Sequence, residues 1–341
     1  MSQSVLAVTL GDPAGIGPEI VVKAWAALKD SGPAFVVIGD ADALAAASRN
    51  GRVDVRPVLA PKDAPAVFAE ALPVLDTPLA APVIAGQPSA AAAPYIIRWI
   101  ELAVGLALAG EVSGIVTAPI EKAGLYSAGF KFPGHTEFIG ELTLSTPQDG
   151  ARGPIMMLTA KDLRVALVTI HEPLARISSL LTIEKIVNAG LVTAQALARD
   201  FGIARPRLAV AGLNPHAGEG GALGGEEIAV VGPAVRALRD LGVDASGPKP
   251  SDSLFHEEAR ATYDAVLCLY HDQALIPVKM LDFWGGVNLT LGLPVVRTSP
   301  DHGTAFDIAG RGRARADSLI AAIRLAAEIA DRRRVAAGLG A

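Results

Sequence analysis

Short apolar runs alternate along the chain with longer stretches whose apolar residues recur at helical spacing, a pattern that predicts a largely parallel α/β sheet. The runs predict strands over 5–10, 34–39, 54–59, 114–118, 154–159, 164–170, 207–213, 265–270 and 287–291. The helical spacing predicts helices over 18–29, 41–48, 88–109, 136–142, 183–201, 226–241, 253–262 and 315–336. Gly and Pro punctuate the joints, notably Gly11, Pro13, Gly15 and Gly17 before the first helix and Pro119 after GIVTA. Two regions break the alternation. Residues 60–90, rich in Ala and Pro, are expected to cross the surface between elements, and LSTPQDGARGPIMM near 144–157 reads as a passage between lobes. A long last helix after 313 is expected to return to the first lobe. The expected lobes are therefore 1–143 with 303–341, discontinuous, and 144–302.

Composition narrows the class. With 51% hydrophobic and 19% charged residues, 341 residues can bury a sizeable core, which excludes a disordered chain. The net charge is −5 and no basic patch is interleaved with aromatics, so nucleic acid is not an expected partner. Arg332, Arg333 and Arg334 read as the solvated cationic end of the last helix. Cys268, the single cysteine, sits in the run AVLCLY and reads as a buried strand thiol; an intrachain disulfide is excluded. MSQSVLAVTLGD lacks the basic flank and apolar length of a signal peptide. The most hydrophobic helical stretch, 94–110, is interrupted by Arg98 and Glu101, so it reads as a core helix and not a membrane span. A cytoplasmic protein is expected.

The candidate chemistry lies at the strand ends, where open α/β sheets bind ligands. His171, His216 and His271 each follow an apolar run, in VALVTIH, LAVAGLNPH and AVLCLYH. Three imidazoles delivered to one edge suit a shared ion with open positions, as a metal-dependent enzyme requires. Separately, each could be an ordinary hydrogen-bonded histidine. Asp272, next to His271, could be a ligand or could orient the imidazole. No H-E-x-x-H occurs, which excludes a zinc-protease reading, and His256 in HEEARA reads as an exposed helix residue.

Three further segments carry polar groups. GDPAGIGPE, 11–19, joins a strand to a helix and reads either as a tight turn or as a phosphate site, although it lacks the G-x-G-x-x-G order. The stretch TAPIEKAGLYSAGFKFPGHTEF holds Thr117, Lys122, His135, Thr136 and Glu137; Thr136 could cap the helix it precedes, or it and His135 could bind an anionic substrate there. Lys279, Asn288 and Arg297 form a set suited to carboxylate or phosphate, with Asn288 and Arg297 flanking the apolar LTLGLPVV.

Taken together, GDPAGIGPE, TAPIEKAGL, FPGHTEF, LNPHAGEGG, GGEE, YHDQ and GVNLTLGLPVVRTSPDHGTAFDIAG resemble the motifs of the 4-hydroxythreonine-4-phosphate dehydrogenase (PdxA) family, over nearly the whole chain. HGTAFDIAGRG is also similar to the adenine-side cofactor loop of isocitrate and isopropylmalate dehydrogenases, whose fold that family shares. The resemblance implies a two-lobed α/β fold of that type, mostly parallel sheets flanked by helices, with its active site in an interlobe cleft at a dimer interface. It implies that His171, His216 and His271 bind a divalent metal, zinc, magnesium, cobalt or manganese, with His271 reaching the site from the partner subunit of a homodimer. It assigns His135, Thr136, Lys279, Asn288 and Arg297 to a phosphorylated hydroxy amino acid. Asp252 and Asp272 take secondary places near the metal, and His302, Gly303, Thr304 and Asp307 take the NAD or NADP cofactor.

The implied reaction is oxidation of 4-phosphooxy-L-threonine at C3, then decarboxylation to 3-amino-2-oxopropyl phosphate, in pyridoxine 5'-phosphate biosynthesis. Lys279 and Asp272 are the candidates for the base. HDQALIPVKMLDFWGGVN departs from the family's commoner HDQGLPVLK form after Gln273, which bears on substrate specificity. The alternatives are a family paralogue oxidising D-threonate or D-erythronate 4-phosphate or an aromatic cis-dihydrodiol acid, and, from other classes, a metal-dependent hydrolase or a non-catalytic binding protein.

Overall fold

Twelve strands carry the architecture among the described residues, and β1, β2, β5, β10 and β12 are buried along their full length, as strands covered by helices on both faces must be. The computed structural model describes residues 5–48 and 52–338. The outermost residues of the expected first lobe, 1–4 and 339–341, lie outside the described residues. In chain order the strands are β1 (Leu6–Thr9), β2 (Phe35–Gly39), β3 (Val55–Pro57), β4 (Leu72–Asp76), β5 (Gly114–Thr117), β6 (Ile155–Ala160), β7 (Leu163–Leu167), β8 (Arg207–Ala211), β9 (Asp244–Lys249), β10 (Ala265–Cys268), β11 (Val287–Leu291) and β12 (Arg297–Pro300).

The chain divides into two compact units. One takes the chain up to Thr146 and again from Pro294 to Arg334; the other takes Pro147–Leu293 and the chain from Val335 on. The expected boundary at 302/303 therefore differs from the observed one. The reason is a strand that the sequence pattern did not predict: β12 pairs in parallel with β5, Arg297 opposite Ile115 and Thr298 opposite Val116. The hydroxyl of Thr298 also donates to the carbonyl of Ala322, at 2.8 Å, on the helix Asp317–Ala336.

In the first unit the strand order is β3-β4-β2-β1-β5-β12, every pair parallel. Residues 60–90, expected as a surface crossing, contain a short helix Ala64–Val67 and strand β4. Strand β4 contains Pro73, and it pairs with β2 and β3, so its partners rather than its own pattern decide its state. The apolar helix Ala93–Leu108 buries Ile96, Trp99, Ile100, Ala103 and Val104 and packs on β1, β2 and β5. By length and composition, Ala90–Leu108 could cross a membrane; here its apolar face lies against the sheet.

In the second unit the order is β11-β6-β7-β10-β8-β9. Strand β6 runs antiparallel to both β11 and β7, while β7, β10, β8 and β9 run parallel. The flanking helix Ile183–Phe201 has a clean start and stop. Thr182 caps it by accepting the Lys185 amide at 3.2 Å, and Gly202 ends it at φ 72°. The helix His271–Leu281 was not predicted, because Pro277 inside it disguises the pattern. The expected helix over 253–262 shrinks to Glu257–Arg260, with exposed His256 as its N-terminal flank.

Gly17 shows how tightly the first turn is built. A Cβ there would collide with the carbonyl oxygen of Leu10, so the helix Gly17–Leu28 approaches the β1 strand end only because this residue has none. Gly17→Ala should cost about 1–3 kcal/mol of stability, read as a lower denaturant midpoint; an unchanged midpoint would contradict this packing.

Candidate functional site

The second unit places four candidate residues along one sheet edge. Strands β7, β10, β8 and β9 lie side by side and parallel, so the chain beyond their carboxyl ends emerges together. His171, His271, His216 and Asp252 follow those strands in that order. The imidazoles of His171 and His271 meet, with ring centres 5.8 Å apart and planes inclined by 42°. They line a cavity of about 310 Å³ together with Ile170, Ile177, Tyr270 and Asp272.

That separation suits a shared ion. Metal–imidazole bonds of about 2.0–2.1 Å put the centres of two rings on one tetrahedral ion roughly 5–6 Å apart. Carboxylates also set the tautomers. Nδ1 of His271 lies 2.7 Å from Oδ1 of Asp272, a contact that suits an Nδ1–H tautomer and would leave Nε2 as the nitrogen open to a cation. His216 repeats the arrangement more loosely, with Nδ1 3.3 Å from Oε2 of Glu219. Among the described residues no three His, Cys, Asp or Glu side chains converge as a metal-binding group. The close pair within the chain is His171 with His271, whereas the resemblance joins His171 to His216 and draws His271 from a partner. The donor set thus fits a nitrogen-preferring divalent ion as a two-imidazole part site, with His216 outside the pair.

His216 sits in an unusual turn. His216, Ala217, Gly218, Glu219 and Gly220 all have positive φ, between 43° and 78°. Such a run of left-handed residues persists only where its surroundings hold it. Glu227 does so: its buried carboxylate accepts the amides of Leu213 and Asn214, both at 2.7 Å, and the side-chain amide of Asn214 at 2.9 Å. Glu226 accepts from the Ser178 hydroxyl and from the same Asn214 amide, and these bonds lower its pKa. Gln273 ties the edge together by accepting the Leu269 amide and donating to Gly212 and Ser251. None of the three was assigned a role from the sequence, although Glu226 and Glu227 in GGEE and Gln273 in YHDQ stood among the recognisable motifs.

A second cluster lies in the first unit. His135 and Thr136 open the helix His135–Leu142, whose N-terminal flank is Gly134 with no side-chain cap. Thr136 is therefore not the cap; it is buried within the first turn. The Nε2 of His135 is sealed from solvent without a hydrogen-bond partner. Burial, and then the charges of Arg297 and Lys122, push its pKa well below 6.5, so the imidazole is neutral. Arg297, 2% exposed, donates to the Thr117 hydroxyl at 2.6 Å. Its pKa is lowered to about 10 by burial, against the opposing effect of Glu137. A buried guanidinium, a lysine and an unsatisfied imidazole nitrogen at a helix N-terminus can hold an anion.

Lys279 and Asn288 belong to the second unit. The Lys279 ammonium lies 5.2 Å from the Phe283 ring centre. Asn288, within β11, has its Oδ1 buried and unpartnered. Asp252 is exposed on the turn Ser251–Ser253.

The candidate cofactor loop also belongs to the first unit. His302, Gly303 and Asp307 are exposed, while Thr304 is buried and its carbonyl accepts the Ile16 amide at 2.9 Å. The loop is cradled by glycines: a Cβ at Gly15 would crowd Thr304 at 3.0 Å, and one at Gly86 would lie 3.0 Å from the Phe306 carbonyl. A cavity of about 140 Å³ opens beside it, lined by Gly15, Gly310, Ala43, Ala46, Ala47 and Glu19. Backbone and small side chains leave room for a small planar group close to the main chain, as one end of a dinucleotide would need.

Comparison with known proteins bears on the family rather than on individual residues. The family model described as "Pyridoxal phosphate biosynthetic protein PdxA" matches residues 32–326. A 4-hydroxythreonine-4-phosphate dehydrogenase of Caulobacter vibrioides is 69% identical over 335 residues, 98% of this chain and 100% of that protein. The crystal structure of a 4-hydroxythreonine-4-phosphate dehydrogenase from Klebsiella pneumoniae superposes with a TM-score of 0.82 at 42% identity, covering 96% of this chain and 98% of the other. A terephthalate 1,2-cis-dihydrodiol dehydrogenase from Burkholderia xenovorans has a TM-score of 0.63 at 31% identity, covering 95% and 98%.

The state of His135 has a measurable consequence. In the unfolded chain it protonates near its ordinary pKa of 6.5, but in the folded protein only well below that. The unfolded state thus takes up an extra proton as pH falls through 6.5, and stability is lost until the folded-state pKa is reached. His135→Gln should lose less melting temperature than the wild type between about pH 7.5 and about pH 5.5. Equal losses in the two proteins would contradict a neutral His135.

Proposed function

The chain belongs to the PdxA family, and we propose that it oxidises 4-phosphooxy-L-threonine at C3 and releases CO2 to give 3-amino-2-oxopropyl phosphate, in pyridoxal phosphate biosynthesis. The observation that carries the reading is the 69% identity, end to end, with a protein named for that activity. The buried cationic cluster supports it by suiting an anionic substrate. The dihydrodiol dehydrogenase, at 31% identity, marks the alternative of an aromatic acid substrate; D-threonate or D-erythronate 4-phosphate is the alternative that keeps the phosphate.

His135, Thr136 and Arg297, with Lys279 and Asn288, are proposed to bind the substrate's phosphate and carboxylate. Arg297 supplies fixed charge, and neutral His135 can donate from Nε2 without bringing a second charge into the site. A divalent cation held by His171, His216 and His271 would supply Lewis acidity beside the C3 hydroxyl, and NAD or NADP the capacity to accept hydride. Asp272 would orient the His271 ring through Nδ1, and Asp252 lies at the same edge. The hydroxyl proton leaves to a base, for which Lys279 and Asp272 are the candidates.

The active unit is proposed to be a homodimer in which imidazoles from two chains complete the metal site. Two observations favour this. The chain alone assembles only two of the three imidazoles, and the helix that begins at His271 leads into apolar surface: Ile276, Met280, Phe283 and Trp284 are 66%, 79%, 59% and 51% exposed. Such a patch marks an interaction surface.

Replacing His171, His216 or His271 with Ala should abolish both bound metal, by elemental analysis, and reduction of NAD(P)+; a fully active variant without metal would overturn the assignment. Arg297→Met should raise KM for 4-phosphooxy-L-threonine about 10- to 150-fold, equivalent to about 1.5–3 kcal/mol. A higher kcat/KM for D-threonate 4-phosphate or an aromatic cis-dihydrodiol acid than for 4-phosphooxy-L-threonine would reassign the substrate.

A further inference from the structure

The turn GDPAGIGPE carries a buried acid that the reaction does not use. Glu19 is 5% exposed, in the first turn of the helix Gly17–Leu28, and its carboxylate faces the end of the candidate cofactor loop. It accepts the amide of Gly312 at 3.1 Å and that of Ala314 at 3.0 Å. One helical turn later, Lys23 pairs with it at 2.8 Å and donates to the carbonyls of the same two residues, at 3.0 Å and 2.5 Å. The two side chains therefore satisfy both the donor and the acceptor of residues 312 and 314.

The other end of the loop is fastened through Thr304 to Ile16, on the same turn. Between these two points the backbone is unusually constrained. Ala305 has φ 43°, in the left-handed region that a residue with a Cβ avoids, and Gly310 and Gly312 both have φ 70°. A conformation of this kind persists where its surroundings over-determine it. The exposed Asp307 stands on this fastened segment, His302 and Gly303 immediately precede it, and Glu19 and Gly310 both line the adjoining cavity.

We propose that Glu19 and Lys23 form a clasp that holds the 302–314 loop in its dinucleotide-binding shape, so that they are positioning residues for the cofactor without touching the reacting atoms. The inference rests on the reading of that loop as the NAD(P) site. Its physical content is preorganisation. If loss of the clasp leaves the loop competent in one molecule in ten, the apparent Kd rises about tenfold by that fraction alone. The phosphorylated substrate, bound by other residues, should keep its affinity.

The test uses full-length Glu19→Gln and Lys23→Met, with Lys23→Arg as the conservative variant. Gln retains the shape of Glu but presents an amide N–H to one of two backbone N–H groups, whereas Lys23→Met leaves Glu19 intact should the first variant fail to fold. Hydrogen exchange in the cofactor-free protein should show faster exchange at the Gly312 and Ala314 amides in Glu19→Gln. Calorimetric titration with NAD+ and NADP+ should show a Kd raised about tenfold in Glu19→Gln and Lys23→Met, with part of the affinity restored in Lys23→Arg. KM for 4-phosphooxy-L-threonine at saturating cofactor should stay within about twofold, well below that cofactor effect. Unchanged dinucleotide affinity in the variants overturns the clasp, as does an equal rise in substrate KM, which would signal general damage. A wild-type protein that binds neither NAD+ nor NADP+ refutes the cofactor reading itself, and the inference with it.

Discussion

Parallel strand pairing is the constraint on which the rest depends. A parallel pair needs a crossover between its strands, and repeated crossovers deliver the chain to the same edge after every strand. In the second unit β10 lies between β7 and β8, with Val266 opposite Val165 and Ala209. His171 and His271 therefore follow neighbouring strands although they stand far apart in sequence. The buried strands contribute little chemistry of their own; they fix the places from which side chains reach out.

Order at that edge is maintained by groups that do not themselves react. Thr169 donates to the Leu269 carbonyl, Gln273 spans Leu269, Gly212 and Ser251, and Glu227 collects the amides of Leu213 and Asn214. Each satisfies backbone groups that the ends of parallel strands leave without ladder partners. The same logic recurs in the first unit, where Glu19 and Lys23 satisfy the peptides around Gly312 and Ala314. Carboxylates and amides within the most recognisable sequence motifs are thus employed in shaping loops, while the imidazoles and the guanidinium are left for ligands.

Much of this was legible in the sequence. Apolar strands bounded by Gly and Pro announce themselves, because full burial demands uninterrupted hydrophobic runs, and the histidines could be placed just beyond them. Strand β12 was less legible: Arg297, Thr298 and Ser299 are polar yet buried, and only the pairing with β5 makes a strand of them. The helix His271–Leu281 was hidden by Pro277, and β4 by its Pro. The cap expected at Thr136 fell to Gly134, whose extended backbone begins the helix one residue earlier than the side-chain pattern suggests.

By itself the sequence determined the residue types available for chemistry, the alternation of strands and helices, and the motifs by which the family is recognised, because these depend on local spacing. Only the tertiary structure decided which side chains meet. That His171 meets His271 rests on β7 lying beside β10, which no local pattern encodes, and His216, although its strand β8 is also a neighbour of β10, is carried into its own left-handed turn. That His135 is neutral, and that Arg297 is buried beside Thr117, follows from desolvation by residues distant in sequence. Burial and proximity are properties of the packed chain, and charge state and ligand geometry depend on both.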